Sequence, residues 1–159
     1  MGAEQEATIT KASPVAVEHA AKVAGEPASL PKVMIAEDNP VVRKGLQNFL
    51  VKWGYEPVET SGGKEAWQKL RDDPSIRLAI LDWNLPGLTG MQVCLQLRRK
   101  RPAPYVYIII FSSRASTEEQ VVALEHGADD YLVKPAKPSL LKARLGVGRR
   151  IVEQALALR

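Results

Sequence analysis

The sequence predicts an α/β fold: an open, doubly wound, five-stranded parallel sheet with five helices, the fifth of them long. Three observations predict it. Short apolar runs alternate five times with segments of helical period, which is the pattern of parallel β-α units with helices on both faces. The runs are followed by turn or acidic residues, as strands buried on both faces are. The chain has 159 residues, 45% of them hydrophobic, enough for one domain plus tails.

The elements follow in order from Lys32. Val33-Met34-Ile35-Ala36 is the first strand, closed by Glu37-Asp38-Asn39-Pro40. Asn39 is placed to cap a helix whose first residue is Pro40. Val41, Leu46, Phe49 and Leu50 give that helix an apolar stripe ending near Gly54. Pro57-Val58-Glu59-Thr60 is a weaker second strand, and Ala66, Trp67 and Leu70 mark a second helix that stops before Pro74. Leu78-Ala79-Ile80-Leu81 is the third strand and ends at Asp82. Residues 91–99 form the third helix, around Cys94, read as a core thiol. Residues 105–111, β-branched and aromatic, are the strongest strand. Residues 117–125 are the fourth helix, with Gly127 as its stop, and Tyr131-Leu132-Val133 is the fifth strand. Pro138 opens a fifth helix running to the end.

Residues 1–31, rich in Ala, Glu, Lys and Thr with Pro14 and Pro27, read as a mobile leader with at most a weak helix over 15–23. Residues 32–137 are the domain core, and 138–159 the fifth helix, whose C-terminal part reads as a dimer or linker helix. A single cysteine excludes a disulfide framework and a cysteine-based zinc site. No secretory signal opens the chain, and no apolar run is long enough to span a bilayer, so the expectation is a cytoplasmic protein away from the membrane. The net charge of +4 is local: residues 137–159 carry +5 and the rest sums to −1. Without a docking motif this reads as a solvated helix face, and direct nucleic-acid binding is not expected. The basic run Arg98-Arg99-Lys100-Arg101 ends the third helix and reads as cations suited to the helix dipole rather than as a docking patch.

Ligands of an open α/β sheet bind beyond the carboxyl ends of its strands. There stand Glu37 and Asp38 after strand 1, Asp82 after strand 3, Ser112 and Ser113 after strand 4, and Lys134 after strand 5. In the flavodoxin-like strand order 2-1-3-4-5, strands 1 and 3 are neighbours, so three carboxylates converge on one crevice. Their mutual repulsion calls for a cation or for some of them to stay protonated, and an oxygen-rich pocket with room for water suits Mg²⁺. With an ammonium and a hydroxyl on the same edge, the set forms a phosphoryl-binding site in which an Asp can be the nucleophile.

Glu37-Asp38, Leu81-Asp82-Trp83-Asn84-Leu85-Pro86-Gly87, Phe111-Ser112-Ser113 and Tyr131-Leu132-Val133-Lys134-Pro135 together resemble the receiver domain of bacterial two-component response regulators, over about residues 32–157. The resemblance implies that Asp82 accepts phosphate from the phosphohistidine of a sensor kinase or phosphotransfer protein. It implies Mg²⁺ held by Asp38 and Asp82, by Glu37 through water, and by the backbone carbonyl of Asn84. Lys134 would pair with the phosphoryl oxygens, Ser112 would turn in to bond them, and Tyr131 would be the aromatic switch that follows. Asn84 and Arg114 occupy the two positions that tune dephosphorylation, and Pro135 the position of a cis peptide. The output would be a shift of the helix 4–strand 5–helix 5 face, which controls an unidentified partner, output domain or homodimer. The domain would catalyse its own phosphorylation and dephosphorylation without being an enzyme in the ordinary sense.

Some residues depart from the family pattern. Ser112 stands where Thr is frequent, Ser113 where Ala is, Glu37 where Asp is, and Ala136 where Phe commonly follows Lys-Pro, loosening the packing expected under helix 5. None removes a required chemical group. The alternative is a pseudo-receiver, an interaction module that works without phosphate, although the acceptor, acidic pair and lysine it usually lacks are all present. A haloacid-dehalogenase-type phosphatase would carry its nucleophile after strand 1, and the acidic turn there would repel the phosphate of FMN. In the fifth helix Leu141, Leu145, Gly148, Val152 and Ala155 are spaced 4-3-4-3, like a coiled-coil seam weakened by glycine. Leu141 and Leu145 read as packing on their own sheet, and Val152, Leu156 and Leu158 as reaching beyond it.

Overall fold

Alternation of side chains along a buried strand sends successive residues to opposite faces, and this arrangement organises the computed structural model, which describes residues 29–158. The elements are β1 (Lys32–Ala36), α1 (Pro40–Lys52), β2 (Glu56–Thr60), α2 (Gly63–Asp72), β3 (Ile76–Leu81), α3 (Gly90–Lys100), β4 (Tyr107–Ser112), α4 (Thr117–Glu125), β5 (Asp130–Val133) and α5 (Pro138–Ala157). All strand pairs are parallel, in the order β2-β1-β3-β4-β5, the flavodoxin-like order expected. The leader expected over residues 1–31, with its weak helix, lies through residue 28 outside the described residues.

Two cores flank the sheet. Val33 and Ile35 of β1, Leu78 and Ile80 of β3, and Ile109 of β4 point to the face covered by α1 and α5. Met34, Ala79, Leu81, Ile108 and Ile110 point to the face covered by α2, α3 and α4. Each such fully buried Leu or Ile contributes about 1.5–3 kcal/mol. Cys94 is in the second core, and burial pushes its thiol up to about 12. Among the described residues no helix is long and apolar enough to cross a membrane.

Local signals explain the ends. The Asn39 side chain accepts from the amides of Val41 and Val42, at 2.9 and 3.2 Å, with Pro40 in the first turn. Thr89 and Gln92 close a capping box on α3, which the sequence reading passed over.

The structure corrects several expectations. Val41 and Phe49 face solvent, and α1 is anchored by the buried Leu46 and Leu50 with Val42 partly buried beside them; Phe49 stacks on Trp53 with ring centroids 5.3 Å apart. β4 begins at Tyr107 rather than at residue 105, because Arg98 takes the Val106 carbonyl (2.8 Å) and the Tyr105 hydroxyl (3.2 Å), which keeps that stretch out of the sheet. The basic run that ends α3 does more than suit the helix dipole. Arg101 is buried and donates to the carbonyls of Leu70, Asp73, Pro74 and Ile76, while Arg98 bridges Gly127 and Asp129.

The 4-3 seam of α5 faces its own sheet. Leu141, Leu145, Gly148 and Val152 are all buried there, so Val152 does not reach beyond the domain. Gly148 is a packing requirement rather than a weakness: a Cβ there would lie 2.4 Å from the Tyr107 ring. Ala136 packs against the same core.

Candidate functional site

The parallel register brings the ends of β1, β3, β4 and β5 to one edge. β1 and β3 pair as far as Ala36 with Leu81, so the next residues, Glu37 and Asp82, emerge side by side. β4 and β5 pair as far as Ser112 with Val133, so Lys134 follows beside Ser112, and its amide donates to the Ser112 carbonyl at 2.9 Å. The carboxylates of Glu37, Asp38 and Asp82 each present an oxygen within 4.8 Å of the others. Glu37, Asp38, Asp82 and Lys134 thus meet at one edge, with the Ser112 backbone beside Lys134.

Lys134 ties the cluster together. Its ammonium donates to Asp82 Oδ2 at 2.8 Å and makes a short ion pair with Glu37. Burial pulls the Lys134 ammonium down, but its bonds to Asp82 and Glu37 outweigh this and hold it above the ordinary lysine value. Glu37 is almost wholly buried, and that burial raises its carboxyl despite the bonds from Lys134 and the Asn39 amide. Asp38 is exposed and Asp82 nearly buried, so the pocket opens to solvent on the Asp38 side. Oxygen-only donors with one open side fit a hard divalent cation that keeps part of its water.

Loop geometry fixes the rest. The Asn84 amide donates to Asp82 Oδ1 at 3.1 Å, which orients the carboxylate. Gly90 lets α3 start against the Asp82 backbone, its amide donating to the Trp83 carbonyl at 2.9 Å. Ser112 is fully buried, and its Oγ accepts from the Arg114 amide at 3.2 Å. Ser113 is exposed. Tyr131 stands inward: its hydroxyl donates to the Arg114 carbonyl at 2.7 Å and its ring meets Trp83 edge-on at 6.5 Å. The Lys134–Pro135 peptide is cis, as the resemblance implied, and so is Ala103–Pro104.

Three participants escaped the sequence reading. Trp83 carries the Arg114 guanidinium 4.8 Å above its ring. Glu119 pairs with Arg114 at 3.0 Å. Arg43 donates to the Glu37 carbonyl at 2.8 Å and braces the acidic turn from α1. Glu119 is on a helix and Arg114 in the preceding loop, so no helical spacing joins them. The step from Glu37 to Arg43 is likewise not a helical pair.

The chain is similar to known proteins. A family model described as "Response regulator receiver domain" matches residues 33–146. Chemotaxis protein CheY1 of Helicobacter pylori is 32% identical over 117 residues, covering 73% of this chain and 94% of its own length. The phosphate regulon transcriptional regulatory protein PhoB of Escherichia coli is 34% identical over 126 residues, covering 79% of this chain and 55% of PhoB. Among solved structures, the receiver domain of the Francisella response regulator 1452 superposes with a TM-score of 0.71 at 28% identity, covering 76% of this chain and 97% of that one.

Proposed function

The chain belongs to the response regulator receiver domain family, and from that premise we propose that it is a switch set by phosphorylation of Asp82. The observation that carries the reading is the Lys134 ammonium bonded to both Asp82 and Glu37 at the edge where Asp38 and Ser112 also converge. The domain is read as residues 32–137, with α5 as the helix that passes the signal on.

A carboxylate oxygen of Asp82 attacks the phosphorus of a phosphohistidine, on a sensor histidine kinase or phosphotransfer protein, or of a small acyl phosphate. An O–P bond forms, the bond to the donor breaks, and the leaving group departs with its electron pair. The Asn84 amide engages Asp82 Oδ1, which leaves Oδ2, beside the Lys134 ammonium, as the oxygen presented to phosphorus. Lys134 follows the negative charge from the carboxylates to the phosphoryl oxygens. Asp38 and Asp82, the Asn84 carbonyl and, through water, Glu37 are the residues to hold Mg²⁺, which when bound neutralises charge on the transferring group.

The product carries more negative charge at Asp82. Ser112 answers by donating its hydroxyl to a phosphoryl oxygen. Its Oγ then gives up the Arg114 amide, and Tyr131, bonded to the Arg114 carbonyl, fixes the loop in the new position. The face that reads this out is α4–β5–α5. Val121, Val122 and Leu124 of α4 and Leu140 and Ile151 of α5 are exposed apolar residues, suited to a partner protein, an output domain or a second copy of the chain.

The test is intact-mass analysis after incubation with acetyl phosphate, with and without Mg²⁺. One Mg²⁺-dependent phosphoryl adduct is expected in the wild type and none in Asp82→Asn. Folded wild-type protein that binds Mg²⁺ but gains no adduct from acetyl phosphate or from any histidine kinase would contradict the reading.

A further inference from the structure

Arg114 is bonded to four residues near the acceptor pocket, Ser112, Tyr131, Asn84 and Glu119. Its amide donates to Ser112 Oγ, and its carbonyl accepts from Tyr131. Its guanidinium donates to Asn84 Oδ1 at 2.8 Å and to Glu119 Oε2 at 3.0 Å, and its central carbon lies 4.8 Å from the centroid of the Trp83 ring. Asn84 in turn holds Asp82 through its amide. The guanidinium is therefore one residue removed from the acceptor carboxylate, on its solvent side. Its charge is engaged by Glu119, whose carboxyl it holds below the usual range.

The acceptor pocket has three carboxylates and one ammonium. A phosphoryl group adds further negative charge there, and Lys134 is already shared between two acids. A planar guanidinium fork matches phosphoryl oxygens in shape as well as charge. Glu119 has a second partner in reserve, since Ser116 Oγ donates to its other oxygen at 2.8 Å. Giving up the guanidinium would not leave Glu119 unbonded.

We propose that Arg114 is a second phosphoryl-binding cation of this site, held back by Glu119. On phosphorylation the guanidinium turns from Glu119 to a phosphoryl oxygen while it stays on Trp83, and Glu119 remains with Ser116. Glu119 then sets how readily the phosphorylated state forms. This inference rests on Asp82 being the acceptor.

The test is a tryptophan-emission titration of Mg²⁺-loaded protein with fluoroberyllate, a phosphoryl mimic. Arg114→Ala is expected to weaken binding about tenfold, as befits loss of a charged hydrogen bond, and Arg114→Lys to fall between. Glu119→Gln is expected to tighten binding several-fold. Gln keeps the capping position filled, so α4 is retained. The double variant Arg114→Ala/Glu119→Gln should bind like Arg114→Ala alone, since Glu119 acts only through Arg114. Wild-type binding with an unchanged Glu119→Gln, or a Glu119→Gln gain that survives without Arg114, would overturn this proposal and leave the acceptor assignment standing. A wild type that binds Mg²⁺ but no fluoroberyllate would overturn both.

Discussion

Gly90 is the first residue of α3, and its lack of a side chain lets the helix start against the Asp82–Trp83 backbone. A Cβ at this position would lie 2.3 Å from the Asp82 carbonyl oxygen and 3.1 Å from the Trp83 Cα. Ordinary contact begins at 3.4 Å, so Gly90→Ala requires a backbone shift of about 1 Å. The neighbour is backbone and cannot rotate away. Overpacking of this kind costs about 1–3 kcal/mol, against at most about 1 kcal/mol gained from helix propensity. The expected net loss is about 1–2 kcal/mol, read by urea denaturation, with slower Mg²⁺-dependent phosphorylation because the displaced residue is Asp82. Gly146→Ala is the matched control. Nothing lies within 4 Å of a Cβ there, and the residue is inside α5, so it should gain up to about 1 kcal/mol. Gly90→Ala as stable as wild type and phosphorylated at the same rate would refute the close-approach argument.

Further outcomes follow from other parts of the structure. Arg101→Leu strips the donors from four backbone carbonyls beneath α3 and should cost about 3 kcal/mol or more by thermal or urea unfolding. Asp73 is held down at about 2 by the Ser75 hydroxyl and then by Lys32. Its lowered carboxyl stabilises the fold above the unfolded value near pH 4, and that contribution is lost as pH falls toward 2. Asp73→Asn should therefore flatten the acid limb of the stability curve, and an unchanged limb would count against the assignment. Cys94, buried and with its thiol pushed up to about 12, should resist iodoacetamide at neutral pH until the protein is unfolded. Modification of native protein as fast as of unfolded protein would contradict its place in the core.

The strand ends were legible because chemistry and punctuation coincide there. Glu37-Asp38, Asp82, Ser112 and Lys134 each follow an apolar run directly, and parallel pairing leaves those residues on one edge. Asn39-Pro40 was legible for a similar reason, since a cap and a first-turn proline act locally. The seam of α5 was ambiguous: a 4-3 apolar spacing serves a sheet-facing helix as well as a coiled coil, and only packing against Tyr107 decides between them. Val41 and Phe49 are apolar yet exposed, because hydrophobicity alone does not say which side of a helix meets the sheet. Arg101 read as one of the cations suited to the helix dipole, but its guanidinium reaches carbonyls more than 20 residues away in sequence. The Arg114–Glu119 pair depends on loop shape, which no periodicity encodes.

The central claim is that Asp82 itself carries the phosphoryl group. Reductive trapping tests it most directly: acetyl phosphate with Mg²⁺, then borohydride, which converts an aspartyl phosphate to homoserine, then peptide mass mapping. The account predicts homoserine at position 82 alone, and none when Mg²⁺ is withheld. Homoserine at position 38, 5-hydroxynorvaline (the reduction product of a glutamyl phosphate) at position 37, or a phosphoryl adduct that maps to no carboxylate of this pocket, would contradict it.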